Sequence, residues 1–326
     1  MGLSQGSVPY STLQRVIPPS PEAISIGKVG FSDIDLYTGQ AKYSIPIYTI
    51  SKNGIDFPIS LSYTGGGGIK VEEVASSVGL GWSLTSTGVI TRNIRGLADD
   101  IGSGGNYTGY INVADFPPIT PEYYNDYVQY AKNKRDGQPD LFLINVGGLS
   151  AQFYINRSKR VVFIEKSDLN VIPFFAENNL ITAFQVKDLN GRNYYFSELE
   201  KSKSVPMEAG YISEYDDYAT SSWYLTKITS EFGNDIITFS YMSGENNLIR
   251  QMIRSPYQYR KDASDPDFQE GESSYSELFY KRPVLQQINF GSGEVNFIMS
   301  DSFRNDMNND RYLRQIVVKN YLGDTV

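Results

Sequence analysis

Between Tyr43 and Tyr63 apolar residues recur at alternate positions. Tyr43, Ile45 and Ile47 share one parity, Asn53-Gly54 interrupts the run, and Phe57, Ile59, Leu61 and Tyr63 resume it. Strand side chains alternate between faces, and Asn-Gly accepts the positive φ angles of a tight turn, so this pattern predicts a β-hairpin. Pro46 and Pro58 lie inside its strands. Having no N–H, each is expected on an edge or turned away from a ladder partner. The unit recurs with Phe184 and Val186, Asn190-Gly191, then Tyr194 and Phe196; with Trp223 to Ile228, Gly233-Asn234, then Ile236 to Tyr241; and around Gly291-Ser292-Gly293. A short echo runs through it: Leu225-Thr-Lys-Ile228, Leu285-Gln-Gln-Ile288 and Leu313-Arg-Gln-Ile316. Each copy is expected to open a strand leading to a glycine turn, as in a degenerate hairpin repeat. Gly323-Asp324 reads as one more such turn, whose answering strand is expected beyond Val326.

The predicted fold class is all-β, an extended or curved antiparallel sheet built of β-hairpin repeats. Prolines 9, 18, 19 and 21 mark residues 1–30 as an extended arm. Residues 31–98 form a first β module, 99–140 a loop-rich insertion with a short helix near Pro121 to Lys132, and 141–250 a hairpin module. Residues 251–280, rich in charge and Ser between Gln251 and Glu277, read as a polar loop, and 281–326 as further hairpins.

Composition changes this picture mainly by exclusion. The 326 residues include neither Cys nor His, which removes disulfides, thiolate nucleophiles, Ser-His-Asp triads, imidazole bases and His- or Cys-ligated metals. A net charge of −8 opposes general attraction to phosphate backbones, so nucleic acid is not expected as a partner. No apolar run approaches the length of a membrane span; the richest short runs are Val161 to Ile164 and Val171 to Phe175. The first residues carry no basic and apolar leader pattern, so the protein is either cytosolic or stripped of a signal peptide.

Candidate chemistry is thin. Gly65-Gly-Gly-Gly-Ile-Lys70 lacks phosphate-loop spacing and reads as a turn after the Phe57 to Tyr63 strand. Gly81-Trp-Ser-Leu-Thr85 has no closing Gly for a nucleophile elbow and no His to activate Ser83; Trp82 is expected to anchor a packed turn eased by Gly79 and Gly81. Asp306, Asn308 and Asp310 place oxygen ligands as a calcium loop does, but Arg311 and Val317 stand where that loop needs Gly and a bidentate Glu. A polar loop is the expectation there, with calcium the weaker candidate. Asp265, Asp267, Glu270 and Glu272 read as a solvated acidic loop. Asp33 with Asp35, Glu72 with Glu73, or Asp99 with Asp100 could supply a glycosidase acid and base only if folding set them at the right separation. The 25 Tyr and two Trp could stack on sugars, although in β-rich chains aromatics chiefly fill sheets.

Several stretches, in order, resemble the amino-terminal region of the large RHS/YD-repeat proteins of Bacteroidota. They are Ser20-Pro-Glu-Ala-Ile-Ser-Ile-Gly27, Leu36-Tyr-Thr-Gly39, Ser44-Ile-Pro-Ile47, Leu61-Ser-Tyr63, Val78-Gly-Leu-Gly-Trp-Ser-Leu84, Gly88-Val-Ile-Thr-Arg92, Pro139-Asp-Leu-Phe142, Trp223-Tyr-Leu-Thr-Lys-Ile228 and Arg282-Pro-Val284. Members of that family are similar to shells in which β-hairpins wind into a hollow cocoon, commonly around a carboxyl-terminal toxin or variable domain. The resemblance implies a non-catalytic, secreted or cell-surface segment of such an RHS-like shell, with no cofactor and no catalytic residue. Its implied partners are the rest of its own YD-repeat polypeptide or a shell partner, met through an exposed strand edge, and bacterial export or surface machinery. The YD array itself is absent from these residues. A surface glycan- or protein-binding β module is the alternative reading, and a carboxylate-based glycoside hydrolase the second alternative.

Overall fold

The computed structural model describes residues 19–28, 41–65, 73–102, 107–113, 118, 120–132, 134–207, 218–254, 274–307 and 309–326. The chain is all-β, and its named strands pair antiparallel throughout. Strands β1 (Ala41–Lys52), β2 (Ile55–Gly65) and β3 (Trp82–Thr85) form a three-stranded sheet in that order. A 12-stranded sheet holds β4 (Val89–Asn93), β5 (Leu141–Val146), β6 (Leu149–Ile155), β7 (Val161–Phe163), β8 (Asn170–Phe175), β9 (Ile181–Lys187), β10 (Asn193–Met207), β11 (Ala219–Thr229), β12 (Ile236–Arg254), β13 (Ser274–Asn289), β14 (Gly293–Met299) and β15 (Leu313–Asn320). Its path runs β7-β6-β5-β4-β11-β12-β13-β10-β9-β8, with β14 and β15 added beside β13. Strand β10 lies along β11 from Asn193 to Ser202 and along β13 from Lys201 to Met207, so β10, β11, β12 and β13 pair in a ring.

The main core lies between the two sheets. Ile50, Ile55, Phe57 and Ile59 of the small sheet pack against Ile237, Phe239 and Ile288 of the large one, and the Phe57 and Phe239 rings meet edge to face at 5.3 Å. Behind them Phe142, Phe153, Phe184 and Trp223 stack or abut with centroids 5.0 to 5.9 Å apart. Such offset and edge-on pairs add to the burial of large apolar area.

The expected hairpins form at Asn53-Gly54, Asn190-Gly191, Gly233-Asn234 and Gly291-Ser292-Gly293. At the first, Asn53 and Gly54 both take positive φ (45° and 84°), as the two-residue turn between Lys52 and Ile55 requires. Pro46 lies on the edge strand β1 beside a bulge, and Pro58 lies in β2 beyond the span that β3 covers. The period-two reading of β1 needs one correction. Register slips between Pro46 and Tyr48, leaving Ile47 as the extra residue, so Tyr48 and Ile50 replace Ile47 on the face shared with Ile45.

The same device explains the Leu-x-x-Ile echo. Leu225, Leu285 and Leu313 pair with Phe196, Tyr241 and Met299, and Ile228, Ile288 and Ile316 pair with Tyr194, Phe239 and Phe297. In each copy the residue after Leu, namely Thr226, Gln286 or Arg314, is skipped by the partner strand. Residues three apart would face opposite ways in a regular strand; one bulge puts both on the core side, where all six pack. Contrary to expectation, the motif opens a strand only in β15, since β11 starts at Ala219 and β13 at Ser274.

Two sequence expectations are overturned in part. Within the predicted extended arm, Pro21–Lys28 is a helix, α1. Ser20 caps it by accepting the Ala23 N–H at 3.2 Å, Pro21 suits the first turn, and Ala23 and Ile26 bury against Val89 and Tyr224. The polar loop at 251–280 is also shorter than expected, because β12 continues to Arg254 and β13 begins at Ser274. Backbone pairing of those arms with each other and with β10, anchored by buried Leu278 and Tyr280, prevails over the polar composition. In the 99–140 insertion, the turn Pro121–Tyr123 and helix α2 (Tyr124–Ala131) form the expected short helix.

Candidate functional site

Two buried polar assemblies tie irregular segments to the sheets. The first centres on Glu200 of β10, which is 0 % exposed. One carboxylate oxygen accepts the Ser20 N–H (2.8 Å) and the hydroxyls of Ser221 (3.0 Å) and Ser222 (3.3 Å); the other accepts the Tyr224 hydroxyl at 3.0 Å. Consecutive serines reach one carboxylate because Ser221 is itself a bulged residue, skipped between the pairs Glu200 with Ser222 and Lys201 with Thr220. Burial, and then the charge of Glu200, push the Tyr224 phenol well above its ordinary value, so it serves as a donor. Alongside, Arg282 of β13 binds Asp310 at 2.7 Å and Glu22 of α1 at 3.7 Å. Burial works against the Arg282 charge, but Asp310 and Glu22 outweigh it and hold the guanidinium protonated. Glu22 also accepts the Ser77 N–H at 3.0 Å. A cavity of about 40 Å³ lies among Glu22, Ser77, Thr87, Tyr224, Tyr241 and Arg282, room for water but not for a substrate.

The second assembly closes the base of the 99–140 insertion. Arg92 of β4 donates through Nε to Asp140 (2.6 Å) and through Nη1 to Asp100 (2.8 Å) and to the Thr220 carbonyl (3.4 Å). Asp140 also accepts the N–H groups of Arg95 (2.8 Å) and Asp99 (3.0 Å), and Asp99 accepts the Asp140 N–H at 3.0 and 3.1 Å. Asp100 reaches out to the Ile181 N–H at 2.9 Å. Three carboxyl groups thus surround one guanidinium. Burial, then the neighbouring Asp140 charge, raise Asp99 far above the usual carboxylate range, and Asp99 is the member that keeps its proton. Asp136, which accepts the Leu97 and Gln138 N–H groups, is pushed up to about 6, chiefly by burial.

The sequence-level candidates fall out as follows. The calcium-loop residues meet a guanidinium: Arg304 grips Asp306 with Nε (2.9 Å) and Nη2 (2.5 Å) and reaches Asp310 with Nη1 (3.1 Å). Arg304 holds Asp306 below the usual carboxylate range, first by these hydrogen bonds. Asp310 is shared between Arg304 and Arg282, while Asn308 lies outside the described residues. Among the described residues no group of three or more acidic side chains is placed to hold a metal. Asp33, Asp35, Glu72, the acidic run 265–272 and positions 66–70 of the glycine run also lie outside them. Asp99 and Asp100 are both turned into the second assembly, 0 % and 3 % exposed, so no sugar reaches them. Ser83 is buried and bonds the Ser62 carbonyl at 3.2 Å. Trp82 anchors its turn against Tyr63 at 5.3 Å, and a Cβ on Gly81 would come within 2.8 Å of that ring.

Arg92, Asp140, Glu200 and Arg282 were not candidates in the sequence. Their types were visible there, and Arg92, Asp140, Arg282 and Glu22 all fall within the family-like stretches, but only the fold turns them inward. A solvent-facing charge and a buried one are indistinguishable in a sequence where most charges are solvated.

No family model matches the chain, and no curated protein matches it in sequence. Among solved structures it is similar to the N-terminal domain of effector protein SpvB from Salmonella typhimurium strain LT2, at 12% identity and a TM-score of 0.42, over 87% of this chain and 90% of that one. A likeness of that degree carries no argument. The resemblance to RHS/YD-repeat proteins therefore rests on the sequence stretches alone. No helix among the described residues is long and apolar enough to cross a membrane.

Proposed function

We propose that this chain is a non-catalytic wall segment of an exported RHS/YD-repeat shell, secreted or displayed at the cell surface, that helps to enclose or deliver a carboxyl-terminal toxin or variable domain. The observation that carries this reading is the way the large sheet grows. From β11 onward each added hairpin reuses the bulged Leu-x-x-Ile unit, and β15 pairs with β14 on one side only. On its other side the returning chain already bonds, Val326 N–H to the Val318 carbonyl at 3.0 Å, with a bridge between Lys319 and Thr325. By the two-residue strand period, Ile316 turns its N–H and C=O to that same edge. Such an edge is a template for another strand, supplied by the rest of a YD-repeat polypeptide or a shell partner. Export or surface machinery would act on the whole assembly. The two buried assemblies, held by their own ion pairs and hydrogen bonds, serve the wall as staples.

The test uses the chain as bait in the secretome of its source organism, with bound polypeptides identified by mass spectrometry. A YD-repeat polypeptide is expected. Ile316→Pro, which removes one edge N–H, should abolish its capture, and Ile316→Val, which trims the side chain but keeps the N–H, should retain it. Recovery of no YD-repeat chain, or equal capture by Ile316→Pro, overturns the proposal.

A further inference from the structure

The outer face of the large sheet carries a groove of about 360 Å³ that plays no part in the shell reading. It crosses β8 to β12. Ala183 forms its floor, together with the backbones of Phe184 and Phe196, whose rings turn inward and are buried. Phe174, 44 % exposed, is one wall. Tyr195 and Lys227 form the other, the ammonium lying 4.2 Å from the ring centroid, and Ser197, Thr226 and Thr238 supply hydroxyls. The volume falls at the lower end of the usual range for small-molecule sites, about 300–1,000 Å³.

The groove owes its polarity to two adjoining bulges. Thr226 is the extra residue on β11 and Ser197 the extra residue on β10, either side of the pair Phe196 with Leu225. Bulges re-aim side chains and concentrate beside binding sites. Here they bring the two hydroxyls to 2.8 Å. Thr226 spends its single proton on the Tyr195 carbonyl at 3.0 Å, so Ser197 must be the donor in the hydroxyl pair. Ser197 is then left with lone pairs only. The groove thus offers an acceptor at Ser197, a hydroxyl at Thr238, a cation at Lys227 and apolar ring surface at Phe174. Among the described residues, Lys227 is the one charged residue in its lining.

We propose that this groove binds an acidic sugar, a pyranose bearing a carboxylate. Its C–H face lies on Phe174, its hydroxyls donate to Ser197, and its carboxylate meets the Lys227 ammonium where that leans over Tyr195. A neutral sugar leaves the ammonium with the Tyr195 ring but no counter-charge, and an alkyl ligand leaves the acceptor at Ser197 without a donor; either is disfavoured. The assignment is independent of the shell and its edge.

The test is saturation-transfer and titration NMR on the whole chain with methyl β-D-glucuronide, N-acetylneuraminic acid and, as the neutral comparison, methyl β-D-glucoside. Saturable binding of at least one acidic probe is expected, about tenfold tighter than the glucoside, the scale of one charge-assisted hydrogen bond. Lys227→Met, which keeps an apolar stem over Tyr195, should remove that preference, and Phe174→Ala should weaken acidic and neutral probes alike. Thermal melting of each variant within about 2 °C of the parent, as for surface changes, shows that the fold is kept. No binding of either acidic probe, equal affinity for acidic and neutral sugars, or an acidic preference that survives Lys227→Met overturns the assignment.

Discussion

Replacing Arg92 by Met tests the staple beneath the 99–140 insertion. Met keeps an apolar stem near Phe142, whose ring centre lies 5.5 Å from the guanidinium, but removes the cation shared by Asp100 and Asp140. Breaking a buried pair from one side costs about 3–5 kcal/mol. An unfolding entropy of about 2.1 cal/mol/K per residue over 326 residues converts that into a Tm drop of about 4–7 °C at pH 8. The loss must also depend on pH. Burial pushes Asp140 up and Arg92 is the largest influence opposing it, so in the variant only the Arg95 and Asp99 N–H groups resist the rise and Asp140 folds protonated. A group whose folded pKa exceeds its unfolded value lends stability that is complete below the unfolded value and is lost as pH rises through the folded one. Protonating a carboxyl of unfolded pKa about 3.9 costs about 1.4 kcal/mol per pH unit above it, and so only about 1.5 kcal/mol at pH 5. Calorimetry at pH 8 and pH 5 should therefore show most of the loss at pH 8 and less than half of it at pH 5. A Tm within about 1 °C of the parent at pH 8, or the same drop at both pH values, refutes the account of Arg92 as counter-ion to trapped carboxylates.

Two further perturbations probe the same physics elsewhere. Asp99→Asn keeps an acceptor for the Asp140 N–H and imitates the protonated acid; since the Asp99 pKa is raised by burial and then by Asp140, the parent loses stability as pH climbs from about 4, by up to about 1.4 kcal/mol per unit. Urea midpoints between pH 5 and 8 should fall more gently in the variant than in the parent, and parallel slopes would sink the idea. Deleting Gln286 alone removes the bulge but leaves Leu285 and Ile288 two residues apart and on one face, whereas deleting Gln286 and Gln287 together makes them adjacent, so one must leave the core at about 2–5 kcal/mol. The double deletion should therefore lose clearly more stability than the single one, read by urea unfolding, and equal losses in the two variants would show that the spacing does not matter.

The hairpins were legible in the sequence because their turn chemistry is local. Asn53-Gly54 and Asn190-Gly191 need only their own φ angles to declare themselves, and the alternation around them follows. Helix α1 was not legible, since Pro18, Pro19 and Pro21 suggest extension and the helix owes its place to partners far along the chain. Its cap Ser20 holds Glu200, and its Glu22 holds Ser77 and Arg282. The acidic pair Asp99-Asp100 stood out as a possible hydrolase feature for the same reason that it misled. Adjacency in sequence was visible, whereas Arg92 and Asp140, which claim both acids for the interior, come from β4 and from the residue just before β5.

The Leu-x-x-Ile echo shows how a visible pattern can hide its own mechanism. A spacing of three fits neither face of a regular strand, and read strictly it argues against a strand. Each copy nevertheless lies in one, because a single skipped residue restores the phase. A bulge also bends its strand and strengthens local twist, and the large sheet carries one at each of Thr226, Gln286 and Arg314. The same irregularity at Thr226, coupled with its neighbour Ser197, aims two hydroxyls at the outer face and hollows the groove beside Lys227. One local device thus sets the packing of the sheet on its core side and re-aims hydroxyls on its solvent side. For that reason deleting Thr226, which leaves Leu225 and Ile228 two apart and on one core face, must perturb ligand binding by removing the partner of the Ser197 hydroxyl, and Lys227→Met must do so by removing the cation.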